Sequence, residues 1–200
     1  MNSVKIRNTC LQGAQMQRID AKSLHIGNCF MENINMDNAS FAAKRNHMEH
    51  CHMAGMSMKK ANGKVIFKYC DMPGAVLTAS RLDSSVFSGC TMINVDMTEC
   101  TLQKAKFNNT SMTNTDFTGT NMNSAEFIDV DVKNAKFINV DVENADLSGI
   151  KNWESATWEN IRNWKSAKLP EGLRELLETQ EEKARETANL YLSATEWTLV

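Results

Sequence analysis

The sequence predicts an all-β solenoid in which the chain winds into square coils of twenty residues. Every fifth residue from Phe67 to Leu147 is apolar, at all 17 positions, where composition alone would supply about seven. The residues two positions earlier are small or β-branched, and those two positions later are mostly Gly, Asn, Asp or Ser, which favour turns. Like residues also recur after twenty positions, as at Phe67, Phe87 and Phe107. Four five-residue units, each ending in a corner, therefore close one coil.

The five-residue period fits neither an α-helix, at 3.6 residues, nor a flat strand, at two. Stacked coils would instead bond backbone to backbone at the spacing of neighbouring strands, about 4.8 Å. Each coil would bury its apolar residues only against its neighbours. The period slips near residues 42–47 and 59–64, because Met48, Met53 and Met58 are out of phase with both flanking regions. We expect small loops or bulges at these two places.

The repeat resembles that of a known family. The units Ala-Lys-Phe-Ile-Asn (135–139) and Ala-Asp-Leu-Ser-Gly (145–149) are similar to the A(D/N)LXX unit of pentapeptide-repeat proteins. The resemblance is close over 65–149 and weaker towards the N-terminus, where Ile6 and Leu11 keep the register. It implies a right-handed quadrilateral β-helix of about seven coils over residues 1–169, with a C-terminal α-helical cap.

Residues 170–200 are expected to form an amphipathic helix and a tail. Pro170 precedes a segment in which Leu173, Leu177 and Tyr191 share one side. This side packs on the last coil or joins a second chain. The resemblance implies a homodimer, because the C-terminal element makes a two-fold dimer in several family members. The apolar residues of the tail, Trp197, Leu199 and Val200, would extend that surface.

The three tryptophans before the helix predict that the apolar interior of the solenoid ends there. Trp153, Trp158 and Trp164 follow a shift of phase after Leu147. We expect these bulky residues to cover the last apolar layer, which would otherwise face water.

Composition places the protein among ordinary soluble chains. The formal net charge is −2, and 42% of residues are hydrophobic. No run approaches the roughly 20 apolar residues of a membrane span, and the first residues lack the apolar run of a secretory signal. We therefore expect a cytoplasmic protein without a membrane span, while a route of secretion that uses other signals stays open.

The cysteines are expected to be reduced. The six cysteines form no CxxC pair, so neither a zinc knuckle nor a thioredoxin-type site is indicated. Cys70 and Cys90 lie twenty residues apart and would stack, which leaves a disulfide between them as the alternative to two apolar thiols.

A cluster of histidines stands out in the segment 46–53. His47, His50 and His52, with Cys51, invite a metal-binding interpretation. In the repeat, however, Cys51 would point inward and the three histidines outward, so they could not readily share an ion. We expect no metal or other cofactor, and treat the histidines as candidate interaction residues.

Charge is distributed unevenly along the chain. Residues 1–80 hold ten Lys and Arg against five Asp and Glu, whereas 81–150 hold five against ten. The outward residues Asp116, Asp131, Asp141 and Asp146 are further candidates for an interaction surface. The sequence contains no GxSxG, P-loop, GxGxxG or HExxH motif, so we expect no enzyme.

These features favour a non-enzymatic protein-interaction module whose partner the sequence does not identify. Resemblance to the fluoroquinolone-resistance members of the family implies an alternative, in which the rod mimics DNA and binds a type II topoisomerase such as gyrase. The basic first 80 residues oppose it. A bacterial effector delivered into host cells is another alternative. Nucleic-acid binding through Lys59, Lys60, Lys64 and Lys68 is not expected, since few aromatic residues accompany them.

Overall fold

The computed structural model describes residues 4–196, without the side chains of 42–45 and 191–196. The chain divides into a solenoid that ends at Lys168 and a second unit that begins at Leu169. The tail residues Trp197, Leu199 and Val200 lie outside the described residues, and so does the side chain of Tyr191.

The solenoid contains ten short strands and two 3-10 helices. The strands are β1 (Val4–Arg7), β2 (Leu24–Gly27), β3 (Ser40–Glu49), β4 (Asn62–Lys68), β5 (Val86–Ser88), β6 (Lys106–Ser111), β7 (Glu126–Asp131), β8 (Lys136–Ile138), β9 (Ile150–Lys151) and β10 (Thr157–Glu159). The 3-10 helices are Trp153–Ser155 and Trp164–Ser166. The second unit contains one helix, α1 (Glu171–Glu196).

The strands pair in parallel, each with the strand one coil away. One sheet has the order β1-β2-β3-β4-β5-β6-β7-β9, and β8 pairs with β10. Isolated parallel bridges continue this pairing on the other sides of each coil. The result is a right-handed quadrilateral β-helix of about eight turns, which confirms the predicted fold class with one turn more than the seven expected.

The interior is filled by columns of identical or similar side chains. Phe67, Phe87, Phe107 and Phe127 stack in successive coils with ring centroids 4.7–5.0 Å apart. All four rings are buried. Because each coil buries its large residues only against the coils above and below, packing energy is shared between neighbours.

The corners depend on residues that adopt positive φ. Asparagine occupies many of them, as at Asn94, Asn114 and Asn134, with φ of 54–57°. Asparagine tolerates this left-handed conformation better than most residues do. The turn-forming column of the sequence therefore corresponds to the corners of the coils.

The coil length changes at two places in the N-terminal half. Asp20 pairs with Ser40, twenty residues on, but His25 pairs with His47, twenty-two residues on, so residues 42–45 contain two extra residues. His47 then pairs with Ile66, only nineteen residues on, because one residue is missing beside Gly63. The first irregularity is thus an insertion and the second is a deletion.

The two 3-10 helices lengthen the last coil. Val130 pairs with Ile150 at an offset of twenty, and Lys136 pairs with Thr157 at twenty-one after the first 3-10 helix. Asp146 pairs with Lys168 at twenty-two after the second. Trp158 stacks on Phe137 with a centroid distance of 4.2 Å, so a tryptophan takes the place of phenylalanine in this coil.

Helix α1 carries both buried and exposed leucines. Leu173 and Leu177 are buried, whereas Leu176 is 39% exposed. Within residues 4–196, α1 has no segment with the length and hydropathy of a membrane-crossing helix.

Candidate interaction surfaces

Each coil has four faces, and each face shows one outward residue per coil. The first face shows Lys5, His25, His47, Ile66, Val86, Lys106, Glu126, Asp146 and Lys168. The second face shows Cys10, Phe30, His52, Asp71, Thr91, Ser111, Asp131 and Lys151. The third face shows Gln15, Asn35, Ser57, Val76, Asp96, Asp116, Lys136 and Thr157. The fourth face shows Asp20, Ser40, Asn62, Arg81, Thr101, Asn121, Asp141 and Arg162.

The four candidate aspartates lie on four different faces. Asp146 is on the first, Asp131 on the second, Asp116 on the third and Asp141 on the fourth. The structure therefore does not bring them together into one acidic surface.

Each of these aspartates is also held by neighbouring groups. Lys136 Nζ lies 3.3 Å from Asp116, and Lys168 Nζ lies 3.0 Å from Asp146. Asp131 accepts a hydrogen bond from Asn152 at 2.9 Å, and Asp141 accepts one from Asn163, also at 2.9 Å. These four carboxylates thus each join one coil to the next.

Two of these carboxyl groups have a pKa below the usual range. A hydrogen bond from Ser148 is the main cause that lowers the pKa of Asp146; burial opposes it, and a hydrogen bond from Lys168 lowers the pKa further. Burial alone would raise the pKa of Asp116, but hydrogen bonds from Thr118 and the ion pair with Lys136 outweigh it. Both groups are consequently ionised at neutral pH, where they stabilise the stack.

The four histidines of the chain lie close together around one corner of the second and third coils. The rings of His25 and His47 meet edge to face, 4.9 Å apart, on the first face. His50 lies at the corner and His52 on the second face, on either side of the buried Cys51. Among the residues that the structure describes, no group of three or more His, Cys, Asp or Glu side chains could hold a metal ion.

Two exposed stacked pairs form what we call the aromatic–histidine patch: Phe30, His50, His52 and Tyr69. Phe30 stacks on His52 at 5.2 Å, and His50 stacks on Tyr69 at 5.0 Å. Phe30 is 54% exposed and Tyr69 is 59% exposed, so large apolar surface faces water. Tyr69 lies over Gly89, where a Cβ atom would come within 2.6 Å of its ring. The absence of a side chain at Gly89 therefore leaves room for the Tyr69 ring.

The electrostatics of this region are uneven. Partial burial, followed by the charges of His25 and Lys68, lowers the pKa of His47, with Glu49 acting in the opposite direction. His52 Nδ1 lies 3.9 Å from the carboxylate of Asp71. The histidines thus differ in their surroundings, although they are neighbours.

Beneath the patch, four cysteines form a buried column: Cys29, Cys51, Cys70 and Cys90. All six cysteines of the chain are free thiols, which leaves Cys70 and Cys90 unlinked. The Cys70 thiol donates to the carbonyl of Met48 at 3.2 Å, and Cys51 donates to that of Glu49 at 3.3 Å. The thiols act as small interior residues that bond to the backbone.

Several basic side chains at the corner and on the face around Gly63 form no ion pair among the described residues. In the described part of the chain, Lys59, Lys60, Lys64 and Arg81 have no ion pair within 4 Å. An open recess lies here, lined by Lys60, Ala61, Asn62, Gly63, Ala79, Arg81 and Asp83.

Three residues of these surfaces were not among the sequence candidates. Phe30 and Arg81 occupy ordinary outward positions, and Tyr69 occupies a corner. A tyrosine at a corner position, where asparagine and glycine are usual, is the one signal that could have marked the patch.

Comparison with known proteins agrees with this architecture. A family model described as "Pentapeptide repeat region" matches residues 63–137. A trypsin-treated variant of QnrB1, described as a plasmid-mediated fluoroquinolone resistance protein, has 18% identity and a TM-score of 0.70, over 90% of this chain and 98% of that chain. A second trypsin-treated QnrB1 variant has 16% identity and a TM-score of 0.62, over 90% and 96%. No curated protein gives a significant sequence match. At these sequence identities the structural similarity shows that the fold is shared and nothing more.

Proposed function

We propose that this chain, a pentapeptide-repeat protein, is a non-enzymatic interaction module that binds a protein partner through the aromatic–histidine patch. The observation that carries the proposal is the exposure of Phe30 and Tyr69, each stacked on a histidine. Aromatic residues are enriched at the energetic centres of protein interfaces. Exposed apolar patches on a folded protein commonly mark such sites.

The scaffold under the patch supports the same role. Phe30 and His52 belong to adjacent coils bonded backbone to backbone, with Met31 N donating to His52 O at 2.7 Å. The rings are therefore held in place before a partner arrives, which lowers the entropic cost of binding. We assign no catalytic residue, because the outward carboxylates join coils and the buried thiols bond to backbone carbonyls.

The test is capture of partners by crosslinking and mass spectrometry in extract of the source cell. The double variant Phe30→Ala/Tyr69→Ala should lose a protein that the wild type retains. The matched control is Ile128→Ala, which removes a side chain that is 57% exposed but lies in β7, four coils or more from the histidines. A partner kept by both variants would overturn the assignment to the patch.

A second variant tests the patch without removing any of its residues. Gly89→Asn keeps a residue type suited to positive φ, since Gly89 has φ of 63°. Its side chain would displace the Tyr69 ring. We expect binding to weaken as it does in the double variant.

The DNA-mimic alternative has weaker support. The likeness to QnrB1 concerns the fold, and a mimic needs a continuous acidic surface. Here the candidate aspartates Asp116, Asp131, Asp141 and Asp146 are spread over four faces. We therefore prefer the patch to an acidic face as the binding surface.

The remaining expectations also stay proposals. A homodimer through α1 predicts a light-scattering mass of two chains that falls to one on deletion of residues 170–200. The buried Leu173 and Leu177 are less available for it than the partly exposed Leu176. Delivery into a host cell would be tested with a translocation reporter fused to the chain, and the cytoplasmic location by fractionation.

A further inference from the structure

We propose that the recess beside Gly63 on the fourth face binds a terminal phosphate group, held between Lys60 and Arg81. The recess has a volume of about 480 Å³ and is open to solvent. This size is within the range of small-molecule sites, about 300–1,000 Å³. The proposal is independent of the aromatic–histidine patch, which lies around a different corner of the coils.

The recess lies where the coil is one residue short. Asn62 and Ile66 are four residues apart, whereas their partners in the next coil, Arg81 and Val86, are five apart. Gly63 then lies against the backbone of Phe41, where a Cβ atom would come within 2.3 Å of the carbonyl oxygen. The short coil thus brings the backbone at Gly63 against the preceding coil, and the recess lies beside it.

Two buried serines stabilise the shortened coil. Ser80 Oγ accepts a hydrogen bond from the amide of Ala61 at 3.1 Å, and Ser85 Oγ accepts one from the amide of Val65 at 3.0 Å. Both serines are fully buried in the interior of the following coil. The backbone on both sides of Gly63 is thus bonded by specific side chains, which gives the recess a defined shape.

The recess carries more positive than negative charge, which favours the binding of an anion. Lys60 and Arg81 are exposed, and neither has an ion pair in the described part of the chain. Asp83 lines the same recess, but its Oδ1 accepts a hydrogen bond from the amide of Gln103 at 2.9 Å, in the next coil. By contrast, Lys106, Lys136 and Lys168 of the later coils are all paired with carboxylates.

Two cations match a phosphate monoester better than a diester. A monoester carries about −1.5 to −2 charges at pH 7, whereas a diester carries only one. The guanidinium of Arg81 can bind two phosphate oxygens at once, while Lys60 adds a mobile point charge. The carboxylates of Asp20 and Asp141 interrupt the fourth face, and Asp83 lies beside it, which disfavours a long polyanion such as a nucleic acid.

The test is calorimetric titration of the full chain with phenyl phosphate and, separately, with diphenyl phosphate, at about pH 7.5 and low salt. We expect phenyl phosphate to bind at least tenfold more tightly than the diester. Either Lys60→Asn or Arg81→Gln should weaken its binding at least tenfold.

The matched control is Lys104→Asn. Lys60 and Lys104 have nearly the same backbone conformation, with φ of 54° and 58°, which asparagine tolerates. Removal of the charge at position 104 should leave the binding of phenyl phosphate unchanged. Equal binding of the two phosphates, or equal losses in all three variants, would overturn the proposal. It would also fail if a duplex DNA oligonucleotide bound more tightly than phenyl phosphate and lost affinity in the Lys60 and Arg81 variants.

Discussion

The ammonium of Lys136 lies 3.3 Å from the carboxylate of Asp116, its neighbour in the preceding coil of the third face. Asp146 and Lys168 repeat this arrangement on the first face at 3.0 Å. The twenty-residue period thus brings opposite charges together along the solenoid axis. The carboxylates of Asp116 and Asp146 are thus partly neutralised by the next coil, which weakens the negative charge of the later coils at these two positions.

Gyrase supercoiling is predicted to be unaffected by micromolar protein. A competitor of DNA must present a dense line of negative charge, and the paired aspartates lie on separate faces. The measurement is relaxed-plasmid supercoiling on an agarose gel, with a duplex oligonucleotide as the positive control for competition. Inhibition at stoichiometric protein would restore the DNA-mimic alternative and show that charge spread around the solenoid is sufficient.

Replacement of one stacked phenylalanine should strongly destabilise the solenoid. Phe107 lies between Phe87 and Phe127 at 5.0 and 4.7 Å and is fully buried. Phe107→Ala should lower the free energy of unfolding by about 3–5 kcal/mol. The exposed Ile128→Ala should change it by less than about 0.5 kcal/mol. Urea titration followed by circular dichroism compares the two, and coincident midpoints would show that the stack contributes little.

Two glycines should respond differently to the same substitution. Gly63 and Gly74 both have positive φ, but only at Gly63 would a Cβ atom meet backbone, whereas at Gly74 it has no neighbour within 4 Å. Gly74→Ala should cost about 1 kcal/mol, the strain of the left-handed conformation alone. Gly63→Ala must also displace Phe41 and should cost clearly more. Similar thermal midpoints for both variants would mean that the short coil can relax.

Alkylation should distinguish the thiols by burial. In native, unreduced protein, iodoacetamide should modify the exposed Cys10 and leave the five buried cysteines unmodified. Six modifications should follow denaturation without reductant, and four would reveal a disulfide. A hydrogen bond with Cys70 lowers the pKa of Cys51 to about 7, while the pKa of Cys70 is raised.

Much of the fold was predictable because a single period fixes both packing and backbone. Large residues such as Phe67 and Phe87 recur every twenty positions, so position in the sequence gives position in the coil. The eighth turn was not evident from the sequence, because each 3-10 helix adds one residue and so shifts the phase of the five-residue period. Lys136 therefore meets Thr157 rather than residue 156. Local backbone shape, which apolar periodicity does not report, determines these additions.

The surfaces were less predictable than the fold. Outward positions for His50 and His52 follow from the repeat, and both side chains are exposed. Their partners do not follow, because the insertion at 42–45 makes Phe30 the neighbour of His52 at an offset of twenty-two. The single deletion likewise gives His50 a neighbour, Tyr69, nineteen residues away. The residues that stack across an irregular coil can be predicted only when the number of residues in that coil is known.

Acid should destabilise the protein through His47 more than through an ordinary histidine. Burial is the main reason that its pKa lies below 6.5, and the nearby His25 and Lys68 lower it further, whereas Glu49 raises it. A lowered pKa means that the unfolded chain binds the proton more readily than the folded one. The contribution of His47 to the free energy of unfolding is therefore fully present above about pH 6.5 and is lost as the pH drops below that value.

The variant His47→Asn should make stability depend less on pH between about 7 and 5. Asparagine suits this outward position, since Asn62 and Asn121 occupy equivalent ones on the fourth face. His25→Asn should give an intermediate result, because it removes the neighbouring charge but leaves His47 partly buried. Urea midpoints at several pH values provide the measurement, and the difference between variant and wild type separates His47 from the carboxyl groups that titrate lower. If His47→Asn and the wild type lose stability in parallel, protonation of His47 does not oppose folding, and its neighbours must accommodate the charge.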